Sequence, residues 1–265
     1  MKQLIVLFSL LSVFNLYGQE DLSKPFHDCN IDGSITIYDY RAKKWISSDI
    51  NDSHFATLPA STFKIINTLI VLEAGAIANE NVIIKWPGGT DTVKYGYRPD
   101  IYHDMSLKDA FRLSAGWAYV ELAKGIGKDE YRRFLSNAQY GNADVSIDDP
   151  DFWNFGKLAI SPANQIQILI GVYEETLPFS KRSFAVLKDL MKEEETDNYT
   201  LRAKTGWTRY NGKDIGWWIG YIEKKDEVYF FATRLIKERI TENPDFGKCR
   251  KQITKIILKQ MGVLK

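Results

Sequence analysis

The sequence predicts an α+β domain, with an antiparallel sheet drawn from both chain ends, flanked by helices, and an all-helical lobe inserted between its halves. Three observations predict it. Strand-like runs occur near the start and return in the last third, while helical patterns fill the middle. No repeat, low-complexity tract or Pro/Ser-rich linker divides the 265 residues, so one core with an inserted lobe suffices.

The opening MKQLIVLFSLLSVFNLYGQE has Lys2, an apolar core over 4–14 and small or polar residues near Gly18, the layout of a secretory signal peptide. Residues 1–19 are therefore expected to be a leader and 20–265 a single domain. The apolar core falls well short of the ~20 residues a membrane span needs, so no stable membrane insertion is expected once the leader is removed. Export to a periplasm would place the chain in an oxidising compartment. There Cys29 and Cys249, near opposite ends of the mature chain, are open to pairing or to standing as two buried thiols.

Asp32-Gly33 reads as a turn, and SITIYDY over 34–40 alternates Ile35 and Ile37 with polar residues, a strand pattern. A second strand is expected around Trp45. The run LPASTFKIINTLIVLEAG over 58–75 is apolar nearly all round after its first turn, which predicts a buried helix. Helical patterns follow at 106–113, 118–125, 129–137 and 162–173, separated by loops rich in Gly, Asp and Pro. Glu193, Glu194 and Glu195, preceded by Lys192, read as a solvated loop or helix end. The β-branched and aromatic runs 200–207, 216–222 and 228–235 predict a meander. An amphipathic helix over 248–261, with Cys249, Ile253, Ile256 and Ile257 on one side, closes the chain.

Hydrophobic residues at 45% and charged residues at 26% place the chain among ordinary globular domains and exclude disorder. The 35 basic and 34 acidic residues leave no net field to recruit nucleic acid. His27, His54 and His103 adjoin no second catalytic motif, G-x-S-x-G is absent, and there is no metal-ligand spacing, P-loop or dinucleotide fingerprint. No cofactor is expected from these patterns.

Chemistry concentrates on Ser61 and Lys64. Three residues apart on a helix they share a face, so the amine reaches the hydroxyl. Burial lowers a lysine pKa, and a neutral amine is both a base and a nucleophile towards carbon dioxide. A serine hydroxyl needs such a base within hydrogen-bonding reach. Ser61 also sits where free helical amides favour developing negative charge. Downstream, KTGW over 204–207 ends a strand with a cation, a hydroxyl and a glycine, an edge along which a carboxylate-bearing molecule can lie.

With STFK at 61–64, YGN at 140–142, FW followed by LAIS across 152–161, and KTGW at 204–207, the chain resembles the class D (OXA-type) serine β-lactamases over its mature length. The resemblance implies a β-lactamase/penicillin-binding transpeptidase-like fold, a β-lactam as small-molecule substrate, and a monomer or homodimer. It implies Ser61 as nucleophile, with Lys64 carboxylated by carbon dioxide or bicarbonate and serving as general base. Trp153 would hydrogen-bond the carbamate and Ser114, in SAGW, would relay a proton to the leaving nitrogen. Lys204, Thr205 and Arg250 would hold the substrate carboxylate beside Gly206, and the backbone amides of Ser61 and Trp207 would form the oxyanion hole.

The absence of an E-x-x-L-N segment fits a base drawn from Lys64 instead of a glutamate, whereas YGN alone also fits the Y-x-N pattern of class C enzymes. Two positions depart from the resemblance. Gly116 stands where a branched apolar residue is usual beside the carbamate, and Asn154 where apolar residues are common. Extra room at Gly116 admits water near Lys64, with opposite consequences for carbamate retention and for deacylation. The alternative function is a penicillin-recognising sensor or cell-wall peptide-binding domain that acylates without turnover.

Overall fold

The computed structural model describes residues 21–264; the leader expected over 1–19 lies outside them. The chain runs α1 (Lys24–Asp28), β1 (Asp32–Asp39), β2 (Lys44–Ser47), α2 (Ile50–His54), a 3-10 turn (Ala60–Phe63), α3 (Lys64–Glu73) and β3 (Ile83–Ile84). It continues through α4 (Thr92–Tyr95), a 3-10 turn (Pro99–Ile101), β4 (Met105–Ser106), α5 (Leu107–Arg112), α6 (Gly116–Ile126), α7 (Lys128–Asn137), α8 (Phe152–Phe155), α9 (Pro162–Glu174) and α10 (Lys181–Leu190). The last elements are β5 (Lys192–Glu195), β6 (Thr200–Tyr210), β7 (Lys213–Glu223), β8 (Val228–Glu238) and α11 (Phe246–Gln260).

Six strands form one antiparallel sheet in the order β2-β1-β8-β7-β6-β5, so the first strands dock directly on the last and close the sheet from both chain ends. Strand periodicity then divides the core. Trp217, Ile219, Tyr221, Phe230 and Ala232 face the helical lobe, while Trp218, Ile222, Phe231 and Leu235 face α1 and α11. Because both faces are covered, even Ser34 and Thr36, the polar half of the β1 alternation, are buried.

Three expectations change. Asp32 and Gly33 are not a turn but the first residues of β1, paired with Ile236 and Leu235 of β8. The buried helix over 58–75 is split: Ser61 lies on the 3-10 turn and α3 begins only at Lys64. Ala60 in the left-handed region, φ 53°, interrupts the helical path between Pro59 and Ser61. Residues 192–195 are an edge strand, β5, and not a solvated loop or helix end. Charge suits an edge, where it blocks pairing with other chains. Here it also anchors α11, through Glu193 to Lys251 and Glu194 to Lys255 at 3.0 Å.

Cys29, capping α1, and Cys249 on α11 form a disulfide, with Cα atoms 6.2 Å apart and a sequence separation of 220. The bridge ties the two chain ends together on the face opposite the helical lobe. In the chain-entropy view, so long a loop makes the link strongly restrictive for the unfolded chain.

Candidate active site

The Ser61 turn is held from several directions. Thr62 Oγ1 donates to Pro59 O at 2.7 Å and accepts from Gln165 Nε2 of α9 at 2.8 Å. Trp217 Nε1 of β7 donates to Leu58 O at 2.9 Å. From the third side Gly206 of β6 presses in: a Cβ there would meet Pro59 O at 3.0 Å and Thr62 N at 3.1 Å. Gly206 thus lets the strand approach the turn that carries Ser61 closely, and a side chain at 206 would press strand and turn apart. Both Ala60 and Ser114 hold positive φ, 53° and 57°, in the region where non-glycine strain gathers at working sites.

Ser61 is half-buried and reaches a cleft between the sheet and the helical lobe, lined also by Ser114, Gly116, Asn154, Trp207 and Arg250. Lys64 is wholly buried behind it and donates from Nζ to Ser61 Oγ at 2.9 Å. Its ammonium lies 5.1 Å from the Tyr119 ring centre. Burial pushes Lys64 down to about 8, partly offset by the negative charge of Asp151.

Lys204 is also buried and donates from Nζ to Ser114 Oγ at 3.1 Å, joining the strand motif to the SAGW serine. Burial, and then the positive charges of Lys64 and Arg250, hold its pKa well below the ordinary lysine value. Thr205 is half-buried and lines the same cleft. Arg250, in the first turns of α11, donates from Nη1 to Gly206 O and from Nε to Gly247 O at 2.9 Å. Burial pushes it down to about 10, so it is charged at neutrality. Trp207 is exposed at the rim, where its Nε1 donates to Asp214 Oδ1 at 2.9 Å and its ring packs on Phe246.

Trp153 is wholly buried on α8 and stacks on Phe63 with ring centres 5.0 Å apart. Its Nε1 is a buried donor with no partner among the described residues. An orphaned N–H on the helix packed against the Ser61 turn fits an acceptor added to Lys64. Gly116 has open space where a Cβ would stand, and Asn154 puts an amide in the same wall. All nine residues expected of the site thus belong to one cleft and the wall behind it, while His27, His54 and His103 fall on α1, α2 and a loop outside the cleft lining.

Sequence reasoning missed Asp151. It is wholly buried, and burial pushes its carboxyl up to about 7, partly offset by hydrogen bonding and the charge of Lys64. The only available signal was its place directly before FW, and three aspartates in DDPD read as loop chemistry.

Residues 36–259 match the penicillin-binding protein transpeptidase domain model. The chain is 36% identical to β-lactamase OXA-20 of Pseudomonas aeruginosa, over 98% of this chain and 97% of the relative. It is 38% identical to β-lactamase OXA-2 of Salmonella typhimurium, over 87% and 84%. A solved class D β-lactamase from Sebaldella termitidis superposes with a TM-score of 0.86 at 40% identity, covering 92% of this chain and 96% of that one. A class D β-lactamase from Nostoc gives 0.85 at 37%, covering 92% and 99%. Fold and site define a serine acyl-transfer protein of the penicillin-binding transpeptidase type. Within it, the chain belongs to the class D β-lactamases.

Proposed function

We propose that the protein hydrolyses penicillin-type β-lactams through an acyl-enzyme on Ser61 and so confers resistance to them. The observation that carries this reading is the 2.9 Å hydrogen bond between Ser61 Oγ and a wholly buried Lys64. A buried amine readily gives up its proton and so reacts with carbon dioxide, and the carboxylated Lys64 takes the Ser61 hydroxyl proton as the oxygen attacks the lactam carbonyl. The backbone N–H groups of Ser61 and Trp207 face the developing oxyanion. Ser114, fixed by Lys204, passes a proton to the departing ring nitrogen. Lys204, Thr205 and Arg250 hold the substrate carboxylate at the end of β6.

Carboxylation of Lys64 would supply a carboxylate base suited to both acylation and deacylation, and the buried Trp153 Nε1, a donor without a partner among the described residues, supports this reading. The leader pattern and the Cys29–Cys249 bridge support export to the periplasm as a soluble enzyme. Among the described residues no helix is long and apolar enough to cross a membrane.

The test is nitrocefin turnover with and without added bicarbonate, alongside Ser61→Ala. Sustained turnover that rises with bicarbonate is expected, with Ser61→Ala folded and inactive. A single burst without a steady state would indicate the sensor, and hydrolysis by Ser61→Ala at the parent rate would reject the nucleophile.

A further inference from the structure

Trp207 serves the proposed reaction through its backbone N–H, which leaves its indole without a part in it. That ring stands exposed at the cleft rim, yet it is fixed at two opposite edges. Along its benzo edge lies the start of α11: Phe246 packs with ring centres 5.0 Å apart, a Cβ on Gly247 would meet Trp207 Cζ3 at 3.4 Å, and the Arg250 guanidinium is 6.0 Å from the ring centre. At its pyrrole edge Nε1 donates to Asp214 Oδ1 at 2.9 Å.

Asp214 is buried on β7, in register with Arg209 of β6 and Lys237 of β8. A buried carboxylate is costly unless it is both paired and hydrogen-bonded, and here the two oxygens divide the work. Oδ2 pairs with Lys237 Nζ at 2.8 Å, while Oδ1 takes the indole N–H and lies 3.6 Å from Arg209 Nε. Lys237 Nζ donates in turn to Thr241 O at 2.8 Å, on the segment that leads into α11, and is 5.6 Å from the Phe246 ring centre. One carboxylate therefore ties three strands to the approach of the helix. The helix needs such a tie, because Asp245 at its N-cap position makes no side-chain capping bond. Gly216, directly opposite Trp207 in the sheet, leaves the space that Phe246 fills: a Cβ there would meet that ring at 2.9 Å.

We infer that Asp214 is a positioning residue for the substrate carboxylate: by pinning the Trp207 indole it sets the surface on which the first turns of α11 seat Arg250. This rests on the β-lactam-hydrolysing function proposed above. Among the described residues no hydrogen bond or ion pair joins Asp214 to Arg250, whose own bonds go to Gly206 O and Gly247 O, so the influence runs through the ring. Without its acceptor the indole is free to swing out from the rim, and the Phe246 and Arg250 contacts slacken with it. A cation that is no longer held in place must be ordered when the carboxylate arrives, which weakens binding. The carboxylate is unchanged in the transition state, so the loss falls on KM and spares kcat. An amide at position 214 still offers an oxygen to the indole and keeps the pin.

The experiment compares steady-state kinetics of parent, Asp214→Ala, Asp214→Asn, Trp207→Phe and the Asp214→Ala/Trp207→Phe double variant on a penicillin and on its methyl ester, below the cooperative unfolding temperature of each. Asp214→Ala is expected to raise KM for the penicillin roughly 3- to 30-fold at nearly constant kcat, and to change the ester far less. Asp214→Asn recovers most of that loss, and the double variant is no worse than Trp207→Phe alone. Equal effects on acid and ester, a loss confined to kcat, an Asn variant as impaired as Ala, or additive single effects each overturn the positioning role while leaving hydrolysis intact. A parent with no steady-state turnover overturns the proposed function and this inference with it. Should Asp214→Ala fail to fold, Trp207→Phe decides, since it removes the indole N–H and keeps the Asp214–Lys237 pair: a KM for the penicillin that does not rise selectively overturns the inference.

Discussion

Lys64 and Lys204 are both buried amines with a serine hydroxyl as hydrogen-bond partner, at 2.9 and 3.1 Å. Their electrostatic surroundings run in opposite directions. Lys64 shares its wall with a buried carboxylate, which partly restores the pKa that burial removes. Lys204 sits among cations, so the charges of Lys64 and Arg250 add to the effect of burial. The fold thus supplies an internal counter-charge to one lysine and withholds it from the other. The first is equipped to exchange protons within the protein. The second has no such partner, and in the function proposed above a substrate carboxylate between Lys204 and Arg250 supplies the missing charge.

The sharpest way to break this comparison is to remove each amine in turn. Lys64→Ala takes away the base from Ser61, and a loss of about 10²- to 10⁴-fold or more in kcat is expected. Added bicarbonate is expected to restore nothing, since no amine remains to react. Steady-state kinetics on a penicillin check this, and a variant within a few-fold of the parent would show that another group activates Ser61.

Lys204→Ala is expected to act more gently and chiefly on KM. Losing a hydrogen bond to a charged group costs about 1.5–3 kcal/mol, or roughly 10- to 150-fold in kcat/KM. The substrate carboxylate is unchanged in the transition state, so ground-state and transition-state binding weaken together. A β-lactam with its carboxylate esterified should narrow the gap between variant and parent. The depressed Lys204 pKa adds a direction: carboxylate binding draws a proton onto the amine, so KM rises with pH on the alkaline side. Equal effects of the variant on acid and ester would detach Lys204 from the carboxylate.

The contrast between the lysines was only half legible in the sequence. Ser61, Lys64 and Lys204 could be named because motif spacing is a local property and the apolar run 63–72 announces burial. The antiparallel meander and its closure by an N-terminal strand were legible for the same reason, since period-2 patterns mark their own faces. The charge environment of each lysine was not, because it is assembled from distant segments. Asp151 reaches the Lys64 wall from a loop 87 positions away, counting from 64 to 151, and nothing in DDPD marks which aspartate turns inward. The packing role of Gly206 was not legible either: its partner, the Pro59–Thr62 backbone, is brought to it only by the fold. The edge-strand role of 192–195 escaped because charge reads as solvent exposure whether or not a backbone ladder runs beneath it.

The smallest expected effect concerns stability in carbon-dioxide-free buffer, and it tests the internal counter-charge without any turnover. For Asp151, between its ordinary value of 3.8 and about 7, the unfolded chain has lost the proton that the folded chain retains. The unfolded state then binds fewer protons, so this group's contribution lowers stability as pH rises through that window. For Lys64, between about 8 and its ordinary 10.5, the unfolded chain keeps the proton that the folded chain has given up. The unfolded state now binds more, and stability rises with pH. Together the pair digs a shallow minimum around neutrality. Asp151→Asn removes the acid-side descent, and by taking away the anion that supports the Lys64 charge it moves the alkaline rise to lower pH. Urea midpoints of parent and variant across this range read both changes, and superimposable curves would show that the two groups do not share a field.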